Sequence, residues 1–194
     1  TLQYEMCYTN ILQILDLSGI PLLAKERGLE DPFVIGGGPC SYNPEPIADF
    51  FDLFYIGEGE TVYRDLMDAY KEWRASGEER VAFLKRAAQI PGIYVPQFYE
   101  ASYHEDGTLK SFEPVVEGVP ATVVKEVEMH MSDTYYPKKP LVPYIKVTQD
   151  RVVLEIQRGC IRGCRFCQAG MLYRPIRPRS LDFLKQQAVA MLES

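Results

Sequence analysis

No run of about 18 apolar residues occurs anywhere in the 194-residue chain, so none of its helices crosses a membrane. No basic start followed by an apolar stretch marks a signal peptide. Low-complexity tracts are absent, and there is no internal repeat beyond two short strand–glycine units described below. A secreted disulfide framework is excluded by the cysteine count. There are five, an odd number, and three of them fall within eight residues. Cysteines spaced that tightly read as metal ligands in a reducing compartment, and the expected location is the cytoplasm. An excess of positive charge is also lacking. Lys and Arg number 21 against 27 Asp and Glu, a net charge of −6, which argues against a general nucleic-acid binder. At 46% hydrophobic and 25% charged, the chain is not a disordered polymer, a collagen or a coiled coil.

One segment departs from that average by what it omits. Residues 158–179 contain no Asp, Glu or Lys but six arginines, at 158, 162, 165, 174, 177 and 179. The rest of the chain therefore carries a net charge of −12. A basic patch this concentrated faces something anionic. Arg174, Arg177 and Arg179, interleaved with Pro175 and Pro178, are the better candidates for an outside contact such as RNA.

Hydrophobic spacing gives the layout. Residues 3–18 read as a helix with Met6, Ile11, Ile14, Leu15 and Leu17 inward, stopped by Gly19 and Pro21. Phe33, Val34 and Ile35 form a short strand running into Gly36-Gly37-Gly38-Pro39. Residues 44–50 suit one or two helical turns. Residues 52–56 are a second strand, ending in Gly57-Glu58-Gly59-Glu60. Helices follow at about 60–76, with Val62, Leu66, Met67, Ala69 and Tyr70 inward, and at 78–89, with Val81, Leu84, Ala87 and Ala88 inward. A strand ending in glycines and leading towards a helix, twice over, predicts a parallel α/β sheet. Ligands of such sheets collect at the carboxyl ends of the strands, which makes Gly36, Gly37 and Gly38 candidate cofactor-binding residues. Glu58 and Glu60 suit a helix start better than acid–base work.

After Ile93 the chain turns rich in Tyr, Val, Thr and Pro. Residues 94–104 and 109–116 read as a hairpin around Glu105-Asp106-Gly107, packed by Tyr94, Tyr99, Tyr103, Tyr135 and Tyr136. Further strands are expected at 123–127 and 142–147, with Pro137, Pro140 and Pro143 between them. The strand RVVLEIQ at 151–157 runs directly into a cysteine loop, and a last helix is expected from Ser180 to Leu192. Its inward face would be Leu181, Leu184, Ala188, Met191 and Leu192. Three domains follow: an α/β part at 1–92, a β-rich connector at 93–150, and the strand–loop–helix at 151–194. Thr1 in place of Met suggests a piece of a longer polypeptide.

The loop reads Arg158-Gly159-Cys160-Ile161-Arg162-Gly163-Cys164-Arg165-Phe166-Cys167-Gln168-Ala169-Gly170. Three thiolates in a C-x3-C-x2-C spacing are one ligand short of a closed tetrahedral or cubane site, and an open corner is what a catalytic metal centre needs. Glycines let the backbone wrap closely and leave amides free to point at sulfur. Arginines offset thiolate charge. The alternative is a structural zinc site with Cys40, Cys7 or a histidine as fourth ligand. That would make a binding module docking RNA or an acidic partner through its arginines. Cys7 and Cys40 otherwise read as buried small hydrophobes. His104 and His130 have no evident partner.

This loop resembles the cluster signature of the radical S-adenosylmethionine (radical SAM) enzymes, with Phe166 in the aromatic place. The resemblance implies that Cys160, Cys164 and Cys167 each bind one iron of a 4Fe–4S cluster and that S-adenosylmethionine chelates the fourth, with Phe166 near its adenine. Reductive cleavage would yield a 5′-deoxyadenosyl radical acting on an unidentified substrate. The stretch IQRGCIRGCRFCQAGMLYRPIRPRS resembles a group of Fe–S oxidoreductases within one subgroup of these enzymes. FVIGGGPCSYNPEPIADFFDLFYIGEGE resembles the second half of the cobalamin-binding-type domain that precedes the barrel in one subgroup. The implied fold is a partial parallel Rossmann-like sheet with flanking helices, then the connector, then the first strand–loop–helix of a partial TIM barrel. The implied enzyme is a radical SAM oxidoreductase, with methyl transfer or RNA modification among its reactions, cobalamin in the full-length protein, and a flavodoxin- or ferredoxin-type reductant. The chain by itself is expected to be inactive.

Overall fold

The computed structural model describes residues 1–131, 135–139, 141, 144–148 and 151–193. The chain divides into two units, Thr1–Val127 and Glu128–Ser194.

The first unit is a mixed α/β fold. Strands β1 (Ile35–Gly37), β2 (Leu53–Tyr55) and β3 (Ile93–Tyr94) form one sheet in that order. Helix α1 (Tyr8–Leu17) precedes it, and α2 (Tyr63–Ser76) and α3 (Arg80–Ala87) lie between β2 and β3. Side chains alternate across a strand. Leu53 and Ile93 therefore pack with Leu66, Trp73, Phe83 and Leu84 of the α2–α3 pair. Phe54 and Tyr94 pack on the other face with Leu2, Cys40, Ile47 and Phe51, and Tyr8 and Ile11 of α1 join them.

β1 and β2 are parallel, as expected, but β3 is antiparallel to β2. A single helix between two strands returns the chain for a parallel entry. Here two helices intervene, so the chain re-enters the sheet from the end at which β2 leaves. The expected all-parallel Rossmann-like order is not seen in these three strands. Gly77, in the left-handed region at φ +69°, ends α2. Trp73 Nε1 donates to the carbonyls of Glu78 and Glu79 at 3.0 Å and ties the two helices together.

The first helix begins later than the spacing predicts. Leu2 is extended: its N–H donates to Gly37 O at 2.6 Å and its carbonyl accepts from Cys40 N at 3.0 Å. Only a single 3-10 turn at Glu5–Cys7 then precedes α1. In α3 the inward set also differs. Val81 is 40% exposed, while Arg80 and Phe83 are buried. Arg80 takes the inward place because Asp52 neutralises it there.

The hairpin consists of β4 (Tyr99–Tyr103) and β5 (Leu109–Pro114), turning at Gly107 with φ +81°. Tyr99 stacks on Phe112. The strand expected at 123–127 is reduced to a parallel bridge, Glu126 beside Gly57. The one expected at 142–147 starts at residues outside those described, as are Pro140 and Pro143, and residues 144–147 form no strand.

The second unit holds β6 (Gln157–Arg158), α4 (Ala169–Leu172), β7 (Arg177–Pro178) and α5 (Leu181–Leu192), with β6 and β7 antiparallel. Of the strand expected at 151–157, only its end is paired, and no barrel is formed by the described residues. Helix α5 starts where the sequence places it: Ser180 Oγ accepts from Phe183 N at 3.2 Å. Its buried positions are Gln187 and Met191, whereas Leu181 and Leu192 are exposed. Ser180→Ala should cost the second unit about 1 kcal/mol through the lost N-cap. Hydrogen exchange of the first turn of α5 would show faster amides at Phe183, and unchanged protection there would rule the cap out.

Candidate metal centre in the cysteine loop

The loop between β6 and α4 carries all three expected thiols. Cys164 is exposed, and Cys160 and Cys167 are half-buried. Arg162 N–H points at Cys160 Sγ at 3.4 Å, the amide-to-sulfur contact that the glycine-rich spacing suggests. Cys167 N donates to Cys164 O at 3.1 Å, forming a tight turn around Phe166. Phe166 is 92% exposed and open to a ligand. Arg162 and Arg165 are exposed beside the thiols.

Among the described residues no three His, Cys, Asp or Glu side chains gather closely enough to hold one metal ion. By its chemistry the donor set suits a cluster: three thiols on one accessible loop, an amide aimed at one sulfur, and cations alongside. Cys7 and Cys40 lie in the other unit. Burial pushes the Cys40 thiol up, and nearby Glu5 adds to this against the hydrogen bond from Tyr8, so it remains a protonated core residue.

The arginines divide differently from expectation. Arg177 and Arg179 are buried and do not face outward. Arg177 donates to Glu128 O at 2.9 Å and Pro175 O at 3.0 Å. Arg179 donates to Met131 O and to Glu155. Their task is to hold the backbone of their own unit. Arg174 stays exposed, with Nε on Gly170 O at 2.6 Å. The local pattern shows only a basic cluster, because the carbonyls that bind it are nearly 50 residues away in sequence.

Glu155 has no role in the sequence reading. Burial alone would raise its carboxyl, but hydrogen bonds from Arg158 and Arg179 outweigh burial and hold it below the usual carboxylate range. One signal was available: a single acid in the middle of an otherwise apolar strand pattern. Tyr136, expected to pack the hairpin, instead lies over the Arg179 guanidinium at 5.1 Å.

Gly36, Gly37 and Gly38 lie in the first unit. A Cβ on Gly36 would run into the Phe54 ring. One on Gly38, at φ +106°, would meet Leu2 O at 2.9 Å. Gly37 O accepts from Leu2 N. These contacts within the chain account for the small residues of the run.

Residues 1–96, just under half of the chain, match the family described as radical SAM proteins, N-terminal. The match covers the glycine run but not the cysteine loop. Over 186 residues, 95% of the chain, it is 30% identical to an uncharacterized protein of Methanocaldococcus jannaschii. The aligned part is 32% of that protein, so the chain spans about a third of its relative's length. No solved structure matches the chain.

Proposed function

We propose that the chain is part of a radical SAM iron–sulfur oxidoreductase in which Cys160, Cys164 and Cys167 hold a 4Fe–4S cluster. The observation that carries this reading is the accessible C-x3-C-x2-C loop, with its amide-to-sulfur contact at Cys160, in a chain whose first half matches the radical SAM N-terminal family. When bound, such a cluster supplies the electron that cleaves S-adenosylmethionine to a 5′-deoxyadenosyl radical. The chain's own residues have simpler tasks. The loop presents three thiols, Cys160, Cys164 and Cys167, each of which would bind one iron, so that a further ligand would complete the cluster. Phe166 offers an exposed ring for the adenine. Arg162 and Arg165 offset the negative charge of the loaded loop and face an acidic reductant of the flavodoxin or ferredoxin type.

The test is iron, acid-labile sulfide and zinc per chain after anaerobic reconstitution, on the wild type and on the Cys160/Cys164/Cys167→Ala variant. About four irons and four sulfides per chain are expected, and none in the variant. Stoichiometric zinc without sulfide would overturn the assignment in favour of a structural zinc module.

A further inference from the structure

At the neck of the cysteine loop the Glu155 carboxylate joins the two arms. The chain leaves the neck through Gln157 and Arg158 and returns through Arg177 and Pro178, which pair with them. Arg179 N continues the pairing on Ile156 O at 3.0 Å. Gly159, at φ +90°, faces the carbonyls of Tyr173 and Pro175 too closely for any side chain. Backbone contacts thus set where the two arms meet.

Side chains then tie the arms together. Glu155 Oε1 accepts from Arg158 Nε at 2.7 Å, and Oε2 from Arg158 Nη2 at 3.2 Å. Oε2 also accepts from Arg179 Nη2 at 2.6 Å. Arg158 belongs to the outgoing arm, two residues before Cys160, and Arg179 to the returning arm. The Arg179 side chain is 1% exposed and lies against the rings of Tyr136, at 5.1 Å, and Phe183, at 4.9 Å. Tyr136 Oη donates to Val153 O at 3.0 Å and accepts from Glu155 N at 3.2 Å. The returning arm is therefore a fixed post, and Glu155 fastens the outgoing arm to it.

We infer that Glu155 is the positioning residue of the cluster loop. By bridging Arg158 and Arg179 it fixes the arm that carries Cys160 and sets a negative charge beside Arg158. The inference rests on the cluster reading above. Two consequences follow from removing the carboxylate charge. Cys160 loses its anchor, so iron is held less firmly; loss of an outer partner of a metal ligand typically costs about 10–100-fold in metal affinity. One negative charge is also taken from beside Arg158, two residues from Cys160. Because a reduced cluster is the more negative form, the midpoint potential shifts upward.

The experiment uses the full chain, reconstituted anaerobically, as wild type, Glu155→Gln, Glu155→Asp and Arg158→Gln. Iron release to bathophenanthroline disulfonate and the potential of the cluster's electron paramagnetic resonance signal are measured, with far-UV circular dichroism as the folding control. Glu155→Gln should release iron at least about tenfold faster than wild type and titrate at a higher potential, with Glu155→Asp recovering part of both. Should Glu155→Gln fail to fold, Arg158→Gln is decisive. Its side chain is 21% exposed, and its loss should still speed iron release. Wild-type release and potential in a folded Glu155→Gln, or wild-type release in Arg158→Gln, would overturn the inference while leaving the cluster reading intact. A wild type that takes up no iron and sulfide overturns both.

Discussion

Asp52→Ala is expected to destabilise the first unit by about 3–5 kcal/mol, because it strips the anion from two buried cations. Asp52 is 3% exposed and sits just before β2. Its Oδ2 accepts from Arg27 Nη1 at 2.8 Å and from Val34 N at 2.7 Å, and its Oδ1 from Arg80 Nη2 at 2.8 Å. The two guanidiniums then spread outward. Arg27 binds the carbonyls of Pro21, Leu22 and Phe50. Arg80 binds those of Gly28, Asp31 and Pro32, and lies 3.8 Å from the centre of the Phe33 ring. One carboxylate thereby moors the segment from Pro21 to Pro32 to the start of β2 and to α3. Without it, both cations lose their counter-charge in a place water does not reach.

In a unit of this size the loss corresponds to roughly 10 °C or more in melting temperature. The chain has a single tryptophan, Trp73, and it lies in the core of this unit. Tryptophan fluorescence therefore follows the first unit alone in the intact protein. Asp52→Asn should behave almost as badly, since an amide keeps one acceptor and turns a donor towards a guanidinium. A Trp73 transition within about 2 °C of wild type in Asp52→Ala would refute this account.

Asp52 also shows where reading the sequence stops. Features specified by neighbours in the chain were legible: the strand-to-glycine steps, the Asp106-Gly107 turn, the Ser180 cap and the spacing of the three cysteines. Each depends on contacts within a few residues. Features specified by remote partners were not. Arg80 sits on a helix where Val81 is the apolar choice, and only Asp52, 28 residues earlier, makes the inward position affordable. Arg177 and Arg179 resemble a surface patch until Glu128 O and Met131 O are seen beneath them. The antiparallel β3 was missed for a related reason. The two helices before it were both expected, but the direction of the strand follows from counting them as a pair. In the cysteine loop the three thiols were legible as a pattern, whereas the Glu155 bridge, which spans residues 155–179, was not.

Gly159→Ala should be the most damaging single substitution in the second unit. Its backbone, at φ +90°, lies where a side chain is strained, which alone costs on the order of 1–3 kcal/mol. The new methyl would in addition overlap the carbonyl oxygens of Tyr173 and Pro175. Those are backbone atoms of the returning arm and cannot turn aside as a flexible side chain could. To make room, the arms must part, and the pairing of Arg158 with Arg177 and of Gln157 with Pro178 goes with them. The same opening moves Arg158 away from Glu155 and Cys160 away from its anchored place. Hydrogen exchange of the full chain should show lost protection at Arg179 N, while the Trp73 unfolding transition of the first unit stays in place. Iron loading should fall with it. By contrast Gly163→Ala, in the same loop, meets no atom within 4 Å and should load iron as the wild type does. The pair of variants separates a requirement for glycine at the neck from a general sensitivity of the loop. Equal loading in Gly159→Ala and Gly163→Ala would mean that the neck does not govern the thiols.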